Sequence, residues 1–245
     1  MSTSRPTIVI VPGSFSAYGA YDPFVALLRA QGFTTFAVKL PSTQKRHPLP
    51  PATLQDDAAH VRGVVEGLVA EKEGSQVAVL AHSYGGSVAT EALAGLQSGV
   101  KRLVFLSATA PRVGETQISA MRLREEMLPQ EIEGYMHMDP VLMAQIVCND
   151  LPYAQAYENV LRLPHHSAAS FQSEITQASY KDIPVTYIFC EKDLVISPEI
   201  QQRFIDTIEE VSKKSVDVKR IDAGHCPNWS KPDELIKLVV QAVGL

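Results

Sequence analysis

Tryptophan occurs once and cysteine three times in these 245 residues. Cys148, Cys190 and Cys226 are odd in number and form no CxxC pair. That argues against a disulfide framework or a thiolate metal site, and buried free thiols are expected. Long apolar runs are missing as well. The first, Thr7–Val11, is far too short for a signal-peptide core or a membrane span, so a soluble, cytoplasmic protein is expected. Basic charge is not in excess: 22 Lys and Arg face 27 Asp and Glu, and both signs are scattered along the chain. Nucleic acid and anionic membrane are therefore not expected as partners. Repeats and low-complexity segments are absent too.

What is present is an alternation. The length suits one domain with a sizeable core. Short apolar runs rich in β-branched residues read as strands: Thr7–Val11, Thr34–Val38, Gln76–Leu80, Arg102–Leu106, Val185–Cys190 and Ser215–Ile221. Amphipathic stretches between them read as helices: Tyr21–Ala30, Leu54–Val69, Gly86–Leu96, Pro198–Val211 and Pro232–Val243. Near-continuous hydrophobicity in the strands suits a parallel sheet buried on both faces, so the class is α/β. Between Ala108 and Asp182 the alternation breaks for about seventy residues, too long for a structureless loop in a compact domain. A small, mainly helical insertion over 110–180 is expected, acting as a lid on a core formed by 1–109 and 181–245. It carries a charged stretch, Arg122 to Glu133, and the methionines Met136, Met138 and Met143.

The run Val77-Ala-Val-Leu-Ala-His82-Ser83-Tyr84-Gly85-Gly86 leaves a strand and enters a helix. This is the setting of a nucleophile elbow, in which a sharp turn projects a serine hydroxyl clear of the sheet. Ala81 stands where the usual G-x-S-x-G pattern has its first glycine. Ser83 is the candidate nucleophile, and His82 reads as packing beneath the elbow. A serine needs a base. His225, in Asp222-Ala-Gly-His225-Cys-Pro, follows the last strand, where Gly224 is expected to give the backbone freedom to present the ring. The acid should follow the preceding strand. Asp193 does so and is better placed than Glu191, because Leu194-Val195-Ile196 can anchor its loop. The loop Ser107-Ala-Thr-Ala-Pro111 offers no alternative carboxylate. For a developing oxyanion, the amides of Tyr84 and Ser14 are the candidate donors, with Phe15 next. Gly13 allows close approach to substrate.

Together these residues resemble the α/β-hydrolase superfamily over essentially the whole chain. More narrowly, the chain resembles the compact branch that holds plant methylesterases, hydroxynitrile lyases and small microbial esterases. The Val104-Phe-Leu-Ser-Ala-Thr-Ala-Pro111 segment and the Asp222-Ala-Gly-His225 ending carry that likeness. It implies about six mainly parallel strands, flanked by helices, under a small helical cap. Pro12 stands where the branch has histidine. Gly13 and Cys226 stand where the lyases have threonine and lysine, which lowers the lyase reading.

The expected activity is hydrolysis of a carboxylic ester or lactone of a small, fairly apolar molecule through an acyl-enzyme, with no cofactor or metal. Cofactor-free lyase, C–C hydrolase or cyclase chemistry on the same scaffold is the alternative, and a receptor-like ligand-binding protein a further one. A homodimer is left open. Gly13, Phe15, His165 and His166 are candidates for touching substrate, the two histidines from above. Phe15, Tyr18 and Tyr84 are candidates for aromatic walls. The three methionines either line an adaptable apolar pocket or, the favoured reading, pack the cap on the core; Trp229 is read as packing the last helix.

Overall fold

A computed structural model describes residues 5–17, 19–71, 76–163 and 165–244. Tyr18 lies outside them. In chain order the main elements are β1 (Thr7–Val11), α1 (Asp22–Ala30), β2 (Thr35–Ala37), α2 (Leu54–Glu71), β3 (Val77–His82), α3 (Gly85–Ala92) and β4 (Val100–Leu106). The segment that follows holds α4 (Gln117–Met121), β5 (Gln130–Ile132), β6 (Tyr135–His137), α5 (Pro140–Ile146), α6 (Tyr153–Val160), β7 (His166–Ser167) and α7 (Ala168–Gln172). The chain closes with β8 (Val185–Cys190), α8 (Pro198–Ser212), β9 (Asp217–Ile221), α9 (Pro227–Ser230) and α10 (Pro232–Ala242).

Six strands form one sheet in the order β2-β1-β3-β4-β8-β9, and every neighbouring pair is parallel. This is the α/β-hydrolase architecture that the sequence implied. The period-two rule of strands sorts its apolar residues onto two faces. Ile8 and Ile10, Ala78 and Leu80, Val104 and Leu106 join one core with α1 and α10. Val9 and Val11, Val79 and Ala81, Leu103 and Phe105 join the other with α2, α3 and α8. Because both faces are covered, central strands such as β3 and β8 are buried along their whole length, whereas the edge strand β9 is mostly exposed.

The segment between β4 and β8 departs from the helical expectation. Besides short helices it builds a second, three-stranded sheet in the order β5-β6-β7, antiparallel throughout. Glu133 and Gly134 both have positive φ, +51° and +79°, the pairing that closes a two-residue hairpin between β5 and β6. Strands of two or three residues carry too little periodicity to be read from sequence.

The elbow depends on glycines. A Cβ on Gly85 would stand 2.4 Å from the Val11 carbonyl oxygen, and one on Gly86 2.2 Å from that of Thr109. Both neighbours are backbone and cannot yield. Gly86→Ala is expected to destabilise the fold by about 3 kcal/mol or more, read as a shift of the urea midpoint. An unchanged midpoint would show that α3 does not need this close approach.

Candidate active site

The strand order changes direction between β1 and β3, and an open α/β sheet forms its crevice at the carboxyl ends of the strands around such a point. Ser83 sits there, between β3 and α3, with φ +54°. The left-handed conformation is costly for serine, and three main-chain hydrogen bonds help hold it. Ser83 N–H donates to the Leu106 carbonyl at 3.3 Å, while its own carbonyl accepts from Gly86 N–H at 3.0 Å and Thr109 N–H at 3.1 Å.

His225 Nε2 lies 3.0 Å from Ser83 Oγ, and His225 Nδ1 lies 2.7 Å from Asp193 Oδ2. Asp193 is 1% exposed. Its Oδ2 also accepts the Ser107 hydroxyl. Its Oδ1 accepts Val195 N–H at 2.7 Å and Ile196 N–H at 3.0 Å. Burial pushes this carboxyl up, but the facing His225 and the donors outweigh it and hold the pKa below the usual range. A carboxylate can only accept, so the imidazole proton belongs on Nδ1 and Nε2 is free to accept from Ser83. The loop carrying Val195 and Ile196 thus anchors the carboxylate through main-chain donors. Glu191 is spent elsewhere, 3.7 Å from Arg220.

His82 is buried and bridges two loops. Its Nε2 lies 2.8 Å from the His225 carbonyl oxygen, so Nε2 donates. Its Nδ1 therefore accepts the Tyr21 hydroxyl at 2.5 Å, and that oxygen accepts Gly13 N–H at 3.1 Å. Burial and the neighbouring His225 push the His82 pKa down to about 3, which keeps the relay neutral.

Of the proposed oxyanion donors, Ser14 N–H and Tyr84 N–H meet no acceptor among the described residues. Phe15 N–H is taken: it donates to His166 Nδ1 at 3.2 Å. This corrects the expectation for His166. The ring is fully buried beneath the first loop and braces Phe15, whose φ is +63°. Its Nε2 faces Ser170 Oγ at 2.9 Å, and burial pushes its pKa down to about 3. His165 packs edge-on against Tyr135, with ring centroids 5.5 Å apart. Neither histidine lines the cavity above Ser83. Tyr84 does not wall it either, since its ring turns beneath the elbow and its hydroxyl donates to Asp57 Oδ2 at 2.9 Å.

That cavity has a volume of about 230 Å³ and reaches Gly13, Ser14, Phe15, Ser83 and His225. Met121, Met127, Met138 and Met143 all contribute to its wall, as do Leu163, Phe171 and Trp229. No Lys, Arg, Asp or Glu among the described residues lines it. Met138 and Met143 thus take the pocket-lining reading that the sequence left second, and Trp229, read as packing, lines the wall as well. Gln117 and Asn228, also in the lining, carried no sequence signal. Among the described residues no group of three or more His, Cys, Asp or Glu converges as metal ligands would. No described helix is long and apolar enough to cross a membrane.

The family model described as the alpha/beta hydrolase family matches residues 8–238. The chain belongs to this family. A curated relative named "Probable hydrolase R7", from Phoma sp., is 48% identical over 245 residues, covering 99% of this chain and all of its own. Two solved structures share the fold. An extracellular alpha/beta-hydrolase from a Paenibacillus species superposes with TM-score 0.79 at 19% identity, covering 97% of this chain and 98% of its own. The methylesterase MES16 from Arabidopsis superposes with TM-score 0.75 at 18% identity, covering 97% and 98%. Plant methylesterases are thus among the neighbours, as the sequence resemblance implied.

Two further features of this hydrolase escape sequence reading. Asn149 and Asp150, between α5 and α6, reach the loops that hold Asp193 and His225. Asn149 Nδ2 donates to the Lys192 carbonyl at 2.9 Å, and Asp150 Oδ2 accepts Gly224 N–H at 2.7 Å. A Cβ on Gly224 would stand 2.3 Å from Asn149 Oδ1 and 2.8 Å from Asp150 Oδ1. Gly224 does not have positive φ. It is small to admit this latch, which corrects the expectation that it lends backbone freedom.

The second is Asp57, fully buried under Tyr84, with Ser42 N–H donating to its Oδ1 at 2.8 Å. Burial pushes its carboxyl up to about 6, beyond what its hydrogen bonds recover. The folded state therefore favours the neutral acid. Its contribution to stability is present in full below pH ~4, where the unfolded chain is also protonated, and declines as pH rises to about 6. Comparing urea stability of wild type and Asp57→Asn from pH 4 to 7 should show wild type losing about 3 kcal/mol relative to the variant. A pH-independent difference would contradict the assignment.

Proposed function

We propose that this protein is a serine hydrolase that cleaves a carboxylic ester or lactone of a small, apolar substrate through an acyl-enzyme. The observation that carries the reading is His225 bridging Ser83 Oγ and Asp193 Oδ2 at 3.0 and 2.7 Å, beside an uncharged cavity.

Each step follows from that geometry. Substrate enters with its scissile carbonyl at Ser83 and its apolar body against the methionine wall. His225 Nε2 accepts the hydroxyl proton as Ser83 Oγ bonds to the carbonyl carbon. The imidazolium formed is stabilised by Asp193, whose charge is already held in place by Ser107 and the Val195 and Ile196 amides. The free amides of Ser14 and Tyr84 are the donors for the oxyanion. Collapse of the intermediate breaks the ester C–O bond, and the leaving alkoxide takes the proton from His225. Water then enters by the same route. His225 removes its proton as the water oxygen bonds to the acyl carbon; the acyl C–Oγ bond then breaks, the acid is released and Ser83 Oγ takes the proton back from His225. The chemistry calls for no metal or cofactor.

The deciding experiment compares wild type with folded Ser83→Ala on a short-chain p-nitrophenyl ester at neutral pH. Turnover by wild type and a loss of about 10³-fold or more in the variant are expected. Absence of turnover by folded wild type, or a variant that keeps its rate, would overturn the reading.

The latch gives a second test. Asp150→Ala should lower kcat about tenfold with little change in KM, because it loosens the His225 loop and leaves the cavity wall in place. A change confined to KM would assign Asp150 to substrate binding instead.

A further inference from the structure

Away from the first loop, the His82–Tyr21 relay and the Ser83–His225 pair, two buried carboxamides interrupt an apolar wall. Gln117, the first residue of α4, is 6% exposed and lines the cavity. Its Oε1 accepts the Ser87 hydroxyl at 2.7 Å and the Thr109 hydroxyl at 3.2 Å. Those hydroxyls lie 2.8 Å apart, and Thr109 Oγ1 is 3.3 Å from the Ser83 carbonyl oxygen. The oxygen end of Gln117 is therefore pinned to the protein, close to the nucleophile. Its Nε2 amide, with two N–H donors, meets no acceptor among the described residues. Asn228, three residues beyond His225, is 5% exposed and lines the same cavity, and its Oδ1 is buried with no partner.

Leaving a buried acceptor such as Asn228 Oδ1 unpaired forfeits the hydrogen bonds it makes to water in the unfolded chain. At position 228 leucine or methionine would fill the wall without that loss, as four methionines do nearby; at position 117 the carboxamide oxygen serves Ser87 and Thr109, and the Nε2 end is what remains for another partner. An unpaired donor beside the reacting serine is useful when substrate brings the acceptor.

We propose that Gln117 is a specificity-determining residue whose Nε2 donates to an oxygen on the apolar body of the substrate. The natural substrates are then oxygenated esters or lactones, bearing a ketone, ether or hydroxyl oxygen apart from the scissile group, rather than plain alkyl esters. The oxygen is uncharged, since no Lys or Arg lines the described wall to pair with an anion. The inference rests on the ester-hydrolase reading above and deepens it.

The test uses p-nitrophenyl heptanoate and its 4-oxo, 5-oxo and 6-oxo analogues with wild type, Gln117→Met and Gln117→Glu. Wild type should prefer at least one oxo ester over the plain ester by about tenfold in kcat/KM, the worth of one buried hydrogen bond. In both variants that ratio should fall to about one, since methionine has no donor and glutamate places an acceptor against the ketone. Gln117→Glu keeps the oxygen that accepts from Ser87 and Thr109, so the test stands if Gln117→Met does not fold. Hydrolysis of all esters without oxo preference in wild type, or a preference that survives both substitutions, overturns the proposal alone. Failure to turn over any ester, with Ser83 also unlabelled by a fluorophosphonate probe, overturns the hydrolase reading and the proposal with it.

Discussion

One buried negative charge organises this molecule. Asp193 is almost wholly removed from water, and an isolated carboxylate there would neutralise rather than persist. It stays charged because donors converge on it from separate pieces of chain: Ser107 after β4, His225 after β9, and the amides of Val195 and Ile196 in its own loop. These groups meet only if β4, β8 and β9 lie side by side and in register, as they do. The sheet is therefore more than a platform. Its strand order is the condition under which the charge is tolerated, and the charge in turn fixes the tautomer of His225.

The rest of the site is built from neutral polar groups. His82 and His166 are both buried, both driven to the uncharged form, and both serve backbone rather than substrate. His82 ties the His225 carbonyl to Tyr21, and through it to Gly13. His166 ties Phe15 to the small second sheet. Phe15, Ser83 and Ser107 all have positive φ, and they follow the carboxyl ends of β1, β3 and β4. Local backbone strain gathers where the loops must turn sharply to aim their groups at one point.

Much of this was legible in the residues. The central strands alternate between two faces and are apolar on both, so their runs announce themselves, whereas the edge strand β9 is mostly polar and exposed. The elbow is written in Ser83 and its glycines, and the candidate base and acid in loops that follow the last two strands. The cavity wall was not legible. Its walls come from a segment whose strands are two or three residues long, so period-two patterning cannot register. The adjacent His165-His166 pair invited a substrate role because histidine is so often chemical, yet a buried imidazole that accepts a backbone N–H leaves no trace in a single sequence. Gly224 misled for a related reason: glycine signals either special dihedrals or close approach, and only coordinates separate the two.

The contact of Asn149 and Asp150 with the acid and base loops ties the aim of the imidazole to the stretch of chain that also shapes that side of the pocket. The same stretch supplies Ile146 and Val147 to the cavity wall. Remodelling this wall to admit a new substrate also shifts the scaffold that aims the imidazole, whereas Met127 and Pro129, also in the lining, precede that stretch by more than a dozen residues. Substitutions along this insertion are thus constrained unequally: one part is free to explore shape, the other is bound to the loops that hold the acid and the base.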